Sequence, residues 1–108
     1  MIRTSRMVAW SGLALSTLLA GCVYYNAMWS AERYAKDARK LDARGQVSEA
    51  RSQWAQAAAK AEVVAIKHPH SRWADDALAL QAEGLARSGS CAEAEDAITS
   101  ARDHVKDA

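Results

Sequence analysis

Two cysteines, three histidines and one adjacent pair of aspartates are the side chains of this 108-residue chain whose types and spacing invite a chemical reading. His68 and His70 flank Pro69, and two imidazoles so close in sequence could begin a metal site. Only His104 remains as a third histidine, however, and no acid stands at ligand spacing beside the pair. Proline also holds this stretch extended, so the two rings point apart. The pattern predicts a polar turn, and no metal is expected. Asp75 and Asp76 are neighbours, which on a helix sets them about 100° apart and denies them a shared proton. Cys91 would need a base and cationic surroundings to act as a nucleophile, and Glu93, Glu95 and Asp96 supply the opposite. It is read as a small buried hydrophobe. With no glycine-rich phosphate loop and no Ser/His/Asp arrangement, no catalytic residue is assigned and the chain reads as a non-enzyme.

Cys22 has a different setting. The N-terminus carries Arg3 and Arg6 and no acid before Glu32. Met7 to Ala20 is a 14-residue apolar stretch broken only by Gly12 and small polar residues. That length suits a signal-peptide core and is short of the roughly 20 residues a bilayer-spanning helix needs. Leu19-Ala20-Gly21-Cys22 follows, with the pattern of the bacterial lipobox. Small residues admit a peptidase that cuts between Gly21 and Cys22, and the thiol is presented to a lipid-transferring enzyme. The competing reading is an uncleaved signal anchor prolonged through Val23, Tyr24 and Tyr25. Basic start, short apolar core and four-residue box agree in order and spacing, so lipidation at Cys22 is preferred. No cofactor is expected beyond the covalent diacylglycerol and N-acyl chain there. Burial of acyl chains at about 0.8 kcal/mol per CH₂ would hold the protein to a membrane without a spanning helix.

Residues 1–21 are thus assigned as signal peptide, 22–30 as a lipidated N-terminal segment, and 31–108 as a helical domain. Two of the 14 basic residues lie in the leader, which leaves 12 against 13 acids and a formal charge of −1. That balance argues against binding nucleic acid through phosphate neutralisation. With Cys22 acylated, Cys91 has no partner for a disulfide. The mature part holds 22 alanines in 87 residues and a single proline, a composition that points to helix.

A repeat organises these helices. Residues 41–57, LDARGQVSEARSQWAQA, align without a gap on residues 85–101, LARSGSCAEAEDAITSA. Leu41/Leu85, Gly45/Gly89, Glu49/Glu93, Ala50/Ala94 and Ala57/Ala101 are identical, at an offset of 44 residues. Trp54 stands opposite Ile98, and Val47 opposite Cys91. Apolar residues step by three and four through Ala27, Ala31, Tyr34, Ala38 and Leu41, and again through Val47, Ala50, Trp54, Ala57, Ala61 and Val64. Trp73, Ala77, Leu80 and Gly84 line a third face, and Cys91, Ala94, Ile98, Ala101 and Val105 a fourth. Gly45 and Gly89 turn the chain, and Ser71 is expected to cap a helix opening at Arg72. Four helices in two hairpins, about 31–68 and 71–106, are predicted.

The stretch HPHSRWADDALALQAEGLARSGSCAEAEDAI resembles the tetratricopeptide (TPR) variant of bacterial envelope proteins. That variant is used by the TPR lipoprotein of the outer-membrane β-barrel assembly machinery and by the Tol–Pal-associated TPR protein. The resemblance covers residues 30–104. It implies an all-α fold, a short α-solenoid of two TPR-like hairpins. It further implies that Gly45, Ala50, Gly89 and Ala94 are the small residues at helix crossings, and that Trp54, Ala57, Ile98 and Ala101 are core positions. A standard unit is about 34 residues, so a 44-residue period implies longer helices. Resemblance to bacterial lipoproteins adds that Val23, in a place where aspartate favours retention in the inner membrane, implies outer-membrane sorting with the domain on the periplasmic face.

Function follows as an expectation. The chain reads as an outer-membrane-anchored lipoprotein whose inner helices offer a groove to a periplasmic or outer-membrane protein, in barrel assembly or Tol–Pal-like maintenance. The alternative is a pilotin-like accessory lipoprotein of a secretion or pilus apparatus. The membrane is reached through the lipid, and Tyr24, Tyr25 and Trp29 are read either as an interfacial aromatic collar or as a cap on the first helix. The strip Arg33, Lys36, Arg39, Lys40 and Arg44 is read as a solvated face. Repeat arrays commonly need about three units, which leaves three readings open: a partner covers the last helix pair, the chain self-associates through its uncapped C-terminal hairpin, or the 108 residues are part of a longer array.

Overall fold

The computed structural model describes residues 26–107, and they are almost wholly helical. The assigned leader, which ends at Gly21, and the residues Cys22, Val23, Tyr24 and Tyr25 after it lie outside the described residues. Four helices are present among those described: α1 over residues 26–43, α2 Val47–Lys67, α3 Ala74–Arg87 and α4 Cys91–Asp107. The all-α expectation is met.

Both hairpin turns are built by the same device. Gly45 has φ 77° and Gly89 φ 94°, the left-handed region that a side chain disfavours. At the first turn the amide of Gln46 donates to the Leu41 carbonyl at 3.0 Å, and that of Gly45 to Asp42 at 3.0 Å. At the second, Ser90 donates to Leu85 at 2.8 Å and Gly89 to Ala86 at 3.2 Å. These are paired Schellman closures, which satisfy the last carbonyls of α1 and α3 at the same register. The shared Leu–Gly spacing of the repeat is therefore a turn signal.

The joint between the hairpins departs from expectation. His68 closes α2 with its amide on the Val64 carbonyl at 2.9 Å. Ser71 does not cap α3, because its hydroxyl turns back to donate to the His68 carbonyl at 2.8 Å. That spends the side chain on the turn after Pro69, and α3 opens only at Ala74, with Trp73 in the capping place. Asp75 and Asp76 still fall in its first turn, beside the positive end of the helix dipole.

The core is mostly alanine. Met28, Ala31, Ala35 and Ala38 of α1 meet Ala50, Trp54, Ala57, Ala61 and Val64 of α2, and Ala77 and Leu80 of α3 complete the cluster. Each alanine removes little more than a methyl from water, about 0.8 kcal/mol, so the larger contributions come from Trp54, Val64, Met28 and Leu80, with Trp54 the largest side chain fully buried. No α4 residue belongs to that cluster. The last helix rests on α3 through Ala94 and Ala97, which are buried separately.

Candidate functional site: two grooves between helices

Among the predicted crossing residues, Ala50 and Ala94 are buried, whereas Gly45 and Gly89 are exposed turn residues with open space where a side chain would stand. The close approach is made by Gly84 instead. A Cβ there would lie 2.7 Å from the Trp54 carbonyl oxygen and 3.0 Å from the Ala58 Cβ, so α3 can press onto α2 only with glycine at this point. Its counterpart one repeat earlier is Lys40, which explains why the repeat does not flag it.

Of the predicted core positions, Trp54 is 1% exposed and Ala57 is fully buried. Ile98 is 42% exposed and Ala101 only half-buried, so Ile98 is not a core residue. Cys91 and Val105 are also exposed, and so is Val47. The reason is shared by the three residues of α4: this helix has α3 on one side and no described element on the other. Cys91 is a surface thiol, contrary to the buried role expected for it.

Three charged side chains touch Trp54, and a fourth, Glu83, ties two of them together. Its indole N–H donates to Asp42 Oδ2 at 2.8 Å. The guanidinium groups of Arg39 and Arg87 lie over its ring, 5.3 and 5.1 Å from the centroid. Both then meet Glu83 Oε1, at 3.2 and 3.4 Å. Arg39 and Glu83 are repeat equivalents, so opposite charges at one register join α1 to α3. These ion pairs are solvent-accessible and individually weak, and their main effect is to cover the tryptophan. Trp29 is 49% exposed with Arg33 stacked over it at 5.1 Å.

His104 secures the far end of α4. Its Nδ1 lies 2.7 Å from Asp75 Oδ1, and its Nε2 meets the Pro69 carbonyl oxygen. An ionised carboxylate and a carbonyl can only accept, so the arrangement is complete only with a proton on each ring nitrogen. His68 ends α2 and His70 is exposed in the turn. Among the described residues no group of three or more His, Cys, Asp or Glu could hold a metal ion, and no helix is long and apolar enough to cross a membrane.

Two of the open grooves among the described residues lie between helices and are large enough to matter for binding. One, of about 480 Å³, lies between α1 and α3, with Met28, Ala35 and Leu80 among Lys36, Arg39, Asp76 and Glu83. Its charges are of both signs. The other, of about 610 Å³, lies over α3 between α2 and α4. Ala65, Ile66, Leu78, Leu85 and Ala97 give it an apolar floor, and its carboxylates are Glu62, Glu93 and Asp96. The first is the inner-helix face expected to receive a partner, and the second had no signal in the sequence. No family model, curated protein or solved structure matches this chain.

Proposed function

We propose that this chain is a lipid-anchored envelope protein whose helical domain is a TPR-like scaffold for another protein. The observation that carries the reading is the Leu19-Ala20-Gly21-Cys22 box behind a basic start and a 14-residue apolar core. In support stand two helical hairpins at a 44-residue offset, turned by Gly45 and Gly89 with matching hydrogen bonds. On this reading Cys22 is the first mature residue and carries the acyl chains, and Val23 directs the protein to the outer membrane, domain toward the periplasm. The role is tethering in envelope biogenesis, barrel assembly or Tol–Pal-like maintenance, without catalysis.

Growth of expressing cells with labelled palmitate tests the anchor. Wild-type protein is expected to carry the label and to fractionate with outer membranes, and Cys22→Ala to lose both. A wild-type protein that takes up no label and behaves as the variant does would sink the proposal. Crosslinking in the same cells then separates the settings. Recovery of the barrel-assembly core or of Tol–Pal components supports the tethering role, and recovery of a secretin replaces it with the pilotin-like one.

A further inference from the structure

The groove over α3 has a chemistry that the repeat does not explain. Its α4 wall presents Glu93, Asp96, Ala97 and Ser100, and the equivalents one repeat earlier are Glu49, Ser52, Gln53 and Gln56. The first hairpin thus has one carboxylate and polar amides where the second has two carboxylates and an alanine. Glu62 adds a third carboxylate from α2. Among the described residues no lysine or arginine lines the groove, although the mature chain carries nearly as many bases as acids. His104 at one end already meets Asp75 and the Pro69 carbonyl. Below the carboxylates the floor is apolar, with Leu78 and Leu85 two turns apart on α3 and Ile66 at the edge, 69% exposed.

Dimensions point to the shape of the occupant. From Glu93 to His104 the α4 wall runs for about three turns, roughly 16 Å. A helix of that length and about 10 Å diameter occupies on the order of 1,300 Å³. The 610 Å³ groove would therefore take one face of it and leave the other in water. Such a helix needs apolar residues at i, i+3 and i+4 for the floor, and cations flanking them for Glu62, Glu93 and Asp96.

We propose that this groove binds a cationic amphipathic helix of a partner protein, with the apolar stripe on Leu78, Leu85 and Ile66 and with lysines or arginines on Glu62, Glu93 and Asp96. This rests on the reading of the domain as a protein-binding scaffold, and it is independent of the lipid on Cys22. Charge complementarity sets which helix is accepted and accelerates its approach, and the floor supplies the burial.

The test uses the full chain in a neutral detergent and a fluorescent peptide of about 12 residues with leucines and lysines at helical spacing. Anisotropy is compared between proteins in the same detergent, so that peptide uptake by micelles cancels. Wild type is expected to bind, and more weakly as salt is raised. Combined Glu62→Gln, Glu93→Gln and Asp96→Asn should weaken binding about tenfold with an unchanged circular dichroism spectrum. Ile66→Ser should weaken it by several-fold. Glu32→Gln with Asp37→Asn, on α1, should leave it unchanged, and a peptide with glutamates for lysines should not bind.

Equal affinity of wild type and the triple variant overturns the proposal, as does no binding at millimolar peptide. Loss of binding on Asp76→Asn with Glu83→Gln, while the triple variant still binds, would move the partner to the α1–α3 groove and keep the scaffold reading. A wild-type dimer that the triple variant dissolves would make a second copy the occupant and also overturn the proposal.

Discussion

Trp54 and Ile98 hold the same place in two copies of one sequence pattern, 44 residues apart, and their surroundings are opposite. Trp54 is 1% exposed, its ring against α3 and under two guanidinium groups. Ile98 is 42% exposed. The contrast continues along the helices: Ala61 is fully buried, and its equivalent Val105 is 62% exposed. The small residue nearest the turn does not differ, since Ala50 and Ala94 are both buried. Within a hairpin, then, register sets the turn and the first contact beyond it. Burial farther along depends on the helix that comes next, and α2 has α3 to cover it.

The largest expected effect breaks this contrast at its centre. Trp54→Ala should cost about 4 kcal/mol of unfolding free energy, from lost burial and the cavity left behind, with little added by the exposed Asp42, whose lost indole donor water replaces. Ile98→Ala, a comparable truncation at the equivalent place, should cost less than about 1 kcal/mol. Urea titrations of the two variants measure the difference directly. Similar losses would mean that α4 is covered as α2 is.

Gly84→Ala comes next, at about 2 kcal/mol, because the new methyl meets the Trp54 backbone carbonyl rather than a side chain that could swing away. It should lower the denaturation midpoint and, by lifting α3 from α2, shift the tryptophan fluorescence to longer wavelength. An unchanged midpoint would show that the two helices are not in close contact there.

The smallest effect should be shared. Gly45→Ala and Gly89→Ala each place a methyl in open space but in a left-handed backbone, at a cost of about 1 kcal/mol. Thermal melts should show similar shifts for both. A large shift for one alone would deny that the two turns are equivalent.

Much of the architecture was legible in the sequence for physical reasons. Alanine at steps of three and four along α1 and α2 leaves little alternative to helix, and a glycine at one register in two copies marks a left-handed closure. Features that join distant segments were not legible. Nothing local distinguishes Gly84 from a weak helix position, because what matters is the Trp54 carbonyl it faces. Arg39 looked like one more cation on a solvated strip, and only the fold brings it to Trp54 and Glu83. Ile98, Cys91 and Val105 read as core because periodicity reports which residues share a face and not whether that face is covered. Ser71 followed the rule for a helix cap, yet its hydroxyl found the His68 carbonyl first. The carboxylates of the groove over α3 come from two helices far apart in sequence, so no window contained them.

Native-state hydrogen exchange at equivalent amides tests most directly whether the two hairpins share a register and differ in cover. Amides of α2 around Trp54, Ala57 and Ala61 should exchange only through near-global unfolding, and those around Ile98, Ala101 and Val105 at least about tenfold faster, through local opening of α4. Equal protection along both helices would contradict the account.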